Sequence, residues 1–349
     1  MTGKDFSLSC PLPLTDRKAI LLGHGSGGRL SAQLMRDLFL PAFDNEILRK
    51  MDDQAVLTAG SERIAFTTDS FVVTPLFFPG GDIGQLAVNG TVNDLAMSGA
   101  QPLFLSAAFI LEEGFAIEEL RRVTASMAQA ARAAGVAIVT GDTKVVNKGS
   151  ADKLFITTSG IGLLPAGLAI SASLARPGDQ IILSGTIGDH GMAVLSVREG
   201  LEMEGMIASD TAPLHSLVRA MLAAGSIHAL RDPTRGGLAT SLCEIASTAR
   251  IGVEIRAVDI PVQPEVKAAC EILGLDPLFV ANEGKLVAFV PAACAPDVLA
   301  AMRQTPEGRH AAIIGKAVEM HPGMVLLKTE VGGTRILDLP LTEQLPRIC

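Results

Sequence analysis

Four aspartates in this 349-residue chain stand where carboxylates could gather around a cation. Asp53 lies in Met51-Asp52-Asp53-Gln54-Ala55, Asp69 in Thr67-Thr68-Asp69-Ser70, Asp94 in Asn93-Asp94, and Asp142 in Gly141-Asp142-Thr143-Lys144. Asp69 and Asp142 each follow an apolar, β-prone run, so either side chain would project from a sheet edge into a cleft. Gathered carboxylates are costly unless a cation neutralises them. Hard oxygen ligands select Mg²⁺, usually with phosphate completing the shell. Each aspartate taken singly is better explained as a cap or turn residue. The four together, with Lys144 adjacent, point to a Mg-nucleotide.

Gly23-His24-Gly25-Ser26-Gly27-Gly28 matches G-x-G-x-x-G, yet Ala19–Leu22 alone could be its strand and no second strand ends in an acidic residue some twenty positions on. It lacks the G-K-[ST] ending of a P-loop. Its N–H groups suit phosphates, and a ligand-free glycine turn fits as well. Asp232-Pro233-Thr234-Arg235-Gly236-Gly237 opens a helix, where Arg235 and free N–H groups suit an anion and an N-cap with a glycine hinge fits nearly as well. In Asn282-Glu283-Gly284-Lys285, Glu283 is either a general base or a turn carboxylate. His190, in Asp189-His190-Gly191, reads as a capping or packing residue. The last residue, Cys349, follows Leu345-Pro346-Arg347-Ile348. Pro346 stiffens that segment, and Arg347 offers a cation to a thiolate. Surface thiols are seldom nucleophiles, so this one needs a site to visit.

The elements that would position these residues follow from composition and period. The length suggests two domains. The 48% hydrophobic and 19% charged composition suits a well-buried globular protein. With no Trp or Tyr, 13 Phe and net charge −8, the chain is poorly equipped for nucleic acid. Five cysteines without a C-x-x-C pair form neither a disulfide nor a zinc framework. No basic leader precedes an apolar run, and the uncharged stretch 154–175 is broken by Gly160, Gly162, Pro165 and Gly167. The expectation is a soluble cytoplasmic protein that does not enter a membrane. Strands are expected at 63–68, 136–140, 154–158, 180–183, 285–290, 311–314 and 324–327, and helices at 30–40, 83–97, 117–134, 190–198, 214–224, 238–248 and 265–273. Their alternation means an α/β or α+β layered fold. Boundaries are expected before Met51 and near Leu164–Pro177, with an extended tail after Ile336.

In order, these motifs closely resemble the HypE family of hydrogenase-maturation carbamoyl dehydratases. The matching segments are His24-Gly25-Ser26-Gly27-Gly28, Thr67-Thr68-Asp69-Ser70-Phe71-Val72-Val73, Phe78-Pro79-Gly80-Gly81-Asp82-Ile83-Gly84 and Gly90-Thr91-Val92-Asn93-Asp94-Leu95-Ala96. They continue with Gly141-Asp142-Thr143-Lys144-Val145-Val146, Gly188-Asp189-His190-Gly191, Arg231-Asp232-Pro233-Thr234-Arg235-Gly236-Gly237, Asp276-Pro277-Leu278, Ala281-Asn282-Glu283-Gly284-Lys285 and the terminal Pro-Arg-Ile-Cys. The resemblance implies a two-domain fold like that of aminoimidazole ribonucleotide synthetase (PurM-like). Its N-terminal sheet domain (51–165, after a glycine-loop segment 1–50) pairs across a homodimer. A C-terminal α+β domain (176–336) and a flexible carrier tail (337–349) follow.

The resemblance also implies the chemistry. A carbamoyltransferase, HypF, loads Cys349 as a thiocarbamate, Mg-ATP phosphorylates its oxygen, and loss of phosphate leaves a thiocyanate for a HypC–HypD iron scaffold. In this reading Asp53, Asp69, Asp94 and Asp142 hold Mg²⁺ and Asn93 supports them. Gly25, Ser26, Gly27, Gly28, Thr143, Thr234 and Arg235 hold ATP. Glu283 accepts a proton and Lys144 stabilises charge or relays a proton. An extended tail from Asp338 could reach roughly 36–40 Å, enough for one thiol to visit partner and cleft. The rival within the superfamily is a small-molecule kinase or synthetase, which would survive loss of Cys349.

Overall fold

The computed structural model describes residues 19–25, 27–200, 207–340, 345 and 347–349. After helical turns α1 (Arg29–Leu34) and α2 (Leu40–Phe43), joined by a π-helical turn, the first domain runs β1 (Ala55–Ala59), β2 (Glu62–Phe71), β3 (Phe77–Phe78), β4 (Gly81–Asp82), α3 (Ile83–Met97), β5 (Gln101–Glu112), α4 (Ile117–Ala134), β6 (Ala137–Val146) and β7 (Leu154–Leu163). The second runs β8 (Gln180–Leu183), α5 (Asp189–Arg198), α6 (His215–Ala224), β9 (Ala229–Arg231), α7 (Gly237–Ala249), β10 (Gly252–Arg256), α8 (Pro264–Leu273), β11 (Val287–Val290), α9 (Ala295–Arg303), β12 (Ala312–Val318), β13 (Val325–Lys328) and β14 (Thr334–Leu337). One sheet has the order β1-β2-β7-β5-β6 and the other β14-β13-β10-β12-β8-β11-β9.

Helix α3 is the hinge of the architecture. Asp82 caps it by accepting from Gly84 N (2.7 Å) and Gln85 N (3.1 Å), which satisfies two of the amides a helix start leaves open. Nearly all its residues are buried, because it packs on β2 and β7, on α4, and on α6 of the second domain. A helix apolar all round belongs at such an intersection. By contrast α4 is amphipathic, with Val123, Met127, Ala130 and Ala134 inward, and Gly135 ends it at φ +67°.

β6 is an edge strand whose residues 137–145 are all exposed, Val139 and Val145 among them at 60% and 67%. A long apolar edge strand is an invitation to pairing. Among the described residues, no helix is long and apolar enough to cross a membrane.

The end of the chain departs from the expected free tail. Ile348 is 1% exposed and Leu345 is buried beside it in the core formed by Phe71, Ile83 and Met192. Val72 N–H donates to Cys349 O (3.0 Å) and Thr74 N–H to Arg347 O (3.3 Å), so the terminal residues run along the exit of β2. Two apolar anchors three residues apart outweigh the freedom of a free end.

Candidate functional site

Asp69 lies on the inner face of β2, in register with buried Ala65, Thr67 and Phe71 and facing α3, where Gly90 leaves room for it. Asp94 is one turn further along α3 and its Oδ2 accepts from Thr67 Oγ (2.7 Å). Asp53 enters from the segment before β1, with Oδ1 3.4 Å from Arg231 Nε. Asp232, at the end of β9, completes the group. It was singled out only as part of a helix-opening motif, since a three-residue strand gives too little pattern to mark its end.

The four carboxyls are linked electrically. Burial pushes Asp53 up to about 6, against the pull of Arg231, with Glu244 and Asp52 adding to the rise. Burial and Asp53 push Asp232 up to about 8. Asp94 is held well above the usual carboxylate range by burial and by Asp232, Asp69 and Asp53. Asp69 is also raised by burial, although Arg235 opposes it. Glu283, 3% exposed, is raised by burial and by Asp69, Asp232 and Asp210, and its Oε1 has no hydrogen-bond partner. Each carboxyl thus binds a proton more readily than a free one, and a cation arriving among them would favour the ionised forms.

The donor set fits Mg²⁺ arriving with phosphates. All its members are hard oxygens, yet no group of three His, Cys, Asp or Glu among the described residues converges tightly enough to hold a bare ion. Phosphate oxygens would have to complete the shell. Next to Asp53, a cavity of about 720 Å³ is lined by Met35, Leu48, Met51, Leu57 and Phe66 together with Thr67 and Thr68. Its size and mostly apolar lining suit a planar base.

The glycine loop reaches this region from the N-terminal side. Arg235 Nη1 donates to Gly25 O (3.1 Å), a Cβ on Gly27 would press on the Arg235 carbonyl, and one on Gly28 would strike Pro340 O. Ser26 lies outside the described residues. Thr234 N–H donates to Asp232 O (2.9 Å), which tightens the turn that presents Arg235.

Two expectations need correction. Asn93 does not face a metal: its Nδ2 donates to Ala212 O (3.1 Å) and Glu283 O (3.2 Å), and its Oδ1 accepts from Leu214 N (2.8 Å). It ties α3 to the second domain. Asp142, Thr143 and Lys144 are not with the other aspartates within one chain. The register row Asp69–Thr158–Ala107–Gly141 crosses two intervening strands, a span of roughly 14 Å. Asp142 is exposed and pairs with Lys144 Nζ (2.7 Å), whose hydrogen bond holds its carboxyl below the ordinary value. The strands run on past both aspartates, and the non-sequential strand order separates them.

His190, expected to cap or pack, is fully buried with its ring edge-to-face against Phe78, and it also holds the terminal segment. Its Nε2 lies 2.8 Å from Ile348 O and its Nδ1 2.8 Å from Ser209 Oγ. A carbonyl only accepts, so Nε2 carries the proton and Ser209 donates to Nδ1. Burial pushes the His190 pKa down, in keeping with a neutral ring. Arg198 Nη2 donates to both Thr74 O and Arg347 O at 2.6 Å, and Arg347 Nη1 pairs with Asp152 Oδ2 at 2.6 Å. The docked segment thereby brings Cys349 to within three residues, along β2 and its exit, of Asp69.

Comparison with known proteins places this geometry in a class. Residues 51–164 match the AIR synthase related protein N-terminal domain, and residues 176–326 the corresponding C-terminal domain. The same fold is found at 20% identity and a TM-score of 0.68 in the Aquifex aeolicus ThiL structure with AMPPCP and TMP. The likeness narrows sharply from there. The chain is 57% identical over 331 residues to carbamoyl dehydratase HypE of Cupriavidus necator, covering 94% of each. It is 49% identical to that of Escherichia coli K12, covering 95% of this chain and 99% of the relative. It also superposes on HypE in a HypE–HypF complex (TM-score 0.84, 51% identity, 88% of this chain and 99% of that one) and on HypE in complex with ATP (0.81, 50%, 95% and 100%). The chain belongs to the HypE family of carbamoyl dehydratases.

Proposed function

We propose that this chain performs the family reaction on its own Cys349. It is an ATP-dependent carbamoyl dehydratase of hydrogenase maturation, turning a thiocarbamate on the terminal cysteine into a thiocyanate. The observation that carries the residue assignment is the docked terminal segment, which brings Cys349 beside the strand bearing Asp69. The carbamoyl oxygen attacks the γ-phosphorus and ADP leaves. The nitrogen then loses its protons and the C–O bond breaks, so the oxygen departs in inorganic phosphate and S–C≡N remains.

Asp53, Asp69, Asp94 and Asp232 would hold Mg²⁺, which when bound supplies charge neutralisation at the transferring phosphate. Gly25, Gly27, Gly28 and Arg235 cradle the phosphates, and the apolar cavity beside Asp53 takes the base. Glu283 takes the N–H proton. Burial keeps its proton affinity raised, and a cation that neutralises Asp69 and Asp232 would let it stand ionised to accept that proton.

Lys144 and Asp142 enter the site from a second copy. The exposed edge strand β6 supports pairing of the first sheet across a homodimer, and a trans contribution reconciles their family role with their distance from Asp69. The thiol must undock to be loaded by HypF and again to pass its cyano group to HypC–HypD, all in the cytoplasm. The direct test is intact-mass spectrometry of carbamoyl-loaded protein before and after Mg-ATP. Loss of one water on the C-terminal peptide, absent in Cys349→Ala, is expected. ATP turnover with an unchanged thiocarbamate would return the chain to the small-molecule kinases of the superfamily.

A further inference from the structure

Glu283 Oε1 has no hydrogen-bond partner, while the backbone that carries it is firmly held. That backbone is clamped from two sides. Asn93 Nδ2 donates to its carbonyl, and its N–H donates to Asp210 Oδ1 at 3.0 Å. The Asp210 side chain is 3% exposed and its Oδ2 lies 3.1 Å from Lys285 Nζ. Gly284 packs so closely between them that a Cβ there would collide with the Asp210 carbonyl. Lys285 Nζ is also 3.9 Å from Asp189 Oδ2, so one ammonium stands between two buried carboxyls, nearer to Asp210. The Asp210 side chain is thus held from one side by Lys285 while its other oxygen accepts from the Glu283 N–H.

The neighbouring residue does the same for the other reactant. Ser209 Oγ accepts from Thr211 N–H (3.2 Å) and donates to His190 Nδ1, whose Nε2 holds the Ile348 carbonyl. Ser209 N–H is in turn fixed to Pro79 O (2.8 Å). Two consecutive residues therefore bear on the two groups that must meet: the segment carrying the thiol and the carboxyl that takes its proton.

We propose that Ser209-Asp210 is a positioning element, in which Asp210 fixes Glu283 against the docked terminal segment that Ser209 holds through His190. This rests on reading Glu283 as the base. A bare structural ion pair between Asp210 and Lys285 would instead affect folding without separating turnover from nucleotide binding.

The test uses full-length protein loaded with carbamate and single-turnover dehydration at varied Mg-ATP. Asp210→Ala is expected to slow the reaction at saturating ATP about 10–100-fold while the half-saturating ATP concentration stays within about twofold. Asp210→Asn retains an oxygen for the Glu283 N–H and is expected to recover the rate to within about threefold of the parent. Asp210→Ala combined with Lys285→Met removes the stranded ammonium and should be as slow as Asp210→Ala. That double variant and Asp210→Asn carry the test if Asp210→Ala does not fold. An unaltered rate in both Ala-containing variants, equal loss in the Asn and Ala variants, or a half-saturating ATP concentration that rises with the loss would each overturn the proposal. Glu283→Gln separates the two levels. If it retains the parent rate, the assignment of Glu283 fails. If it is inactive while Asp210→Ala is fast, only the positioning role fails.

Discussion

Truncating Ile348 should release the terminal segment without disturbing the nucleotide site. The side chain is 1% exposed and packs into a core that draws on both domains, Phe71 and Ile83 from the first and Met192 and Val280 from the second. Replacing it with Ala removes three carbon groups, and at ~0.8 kcal/mol each the docked state loses about 2.4 kcal/mol. That is about a 50-fold rise in the undocked population. The polar contacts act on a smaller scale. Arg347 and Asp152 are 33% and 42% exposed, and an ion pair this open contributes at most ~1 kcal/mol, less in salt. Hydrogen exchange at the Val72 and Thr74 amides reads the equilibrium directly, because those N–H groups donate to Cys349 O and Arg347 O. Both should exchange about 50-fold faster in Ile348→Ala, and no more than about fivefold faster in Asp152→Ala, which removes the ion pair while leaving the hydrogen bonds of Arg347 to Val72 O and Thr74 Oγ1. Loading by the carbamoyltransferase should rise while single-turnover dehydration falls. Unchanged exchange in Ile348→Ala, or a larger effect from Asp152→Ala, would refute the view that apolar burial holds the segment in place.

Three other expectations follow from the carboxyl cluster and the edge strand. Asp53 and Asp232 bind protons more tightly folded, at about 6 and about 8, than unfolded. The stability this confers is therefore fully present below the ordinary carboxylate range and lost as pH rises through those values, at about 1.4 kcal/mol per pH unit for each proton released. Thermal melts of the nucleotide-free protein should fall from pH 5 to 8, and Mg-ATP should flatten the decline. Asp94→Asn replaces a carboxyl that burial and its acidic neighbours push well above the usual range with an amide that cannot ionise. It should raise the stability of the nucleotide-free protein and abolish ATP-dependent dehydration, as paired calorimetry and mass spectrometry would show. Finally, an equimolar remixed population of Lys144→Ala and Asp94→Asn subunits should recover about a quarter of parental activity, since half the dimers are mixed and each rebuilds one site of two. Activity confined to the sum of the separate variants would place Lys144 in its own chain's site.

What could be read from the sequence, and what could not, divides along a physical line. Helix α3 was legible because Asp82 caps it and its apolar run continues without a break to Met97. β5 was hidden because Pro102 and the small residues Ser106 to Ala108 break its β-prone pattern, and α9 because Pro296 sits in its first turn. Local signals of this kind act over a few residues. Asp210 had no such signal, since its partners Glu283 and Lys285 are more than seventy residues away in an irregular segment. The terminal segment carries no period and so reads as extended, yet Leu345 and Ile348 are buried and His190 and Arg198 hold its carbonyls.

Asp69 and Asp142 show why motif context cannot replace topology. Each follows an apolar run, and that pattern alone predicts a side chain projecting from a sheet edge into a cleft. In the fold each lies within its strand, but β7 and β5 stand between the two. Asp69 looks inward to α3 among buried residues, so its carboxyl is driven toward protonation and calls for a cation. Asp142 lies on an edge already matched by Lys144, so in one chain it has no such need. The same residue type after the same kind of run therefore does opposite electrostatic work. If both serve one reaction, the edge bearing Asp142 and Lys144 must come from another copy, and the pairing that covers β6 is then part of the active site rather than a way of hiding an exposed strand.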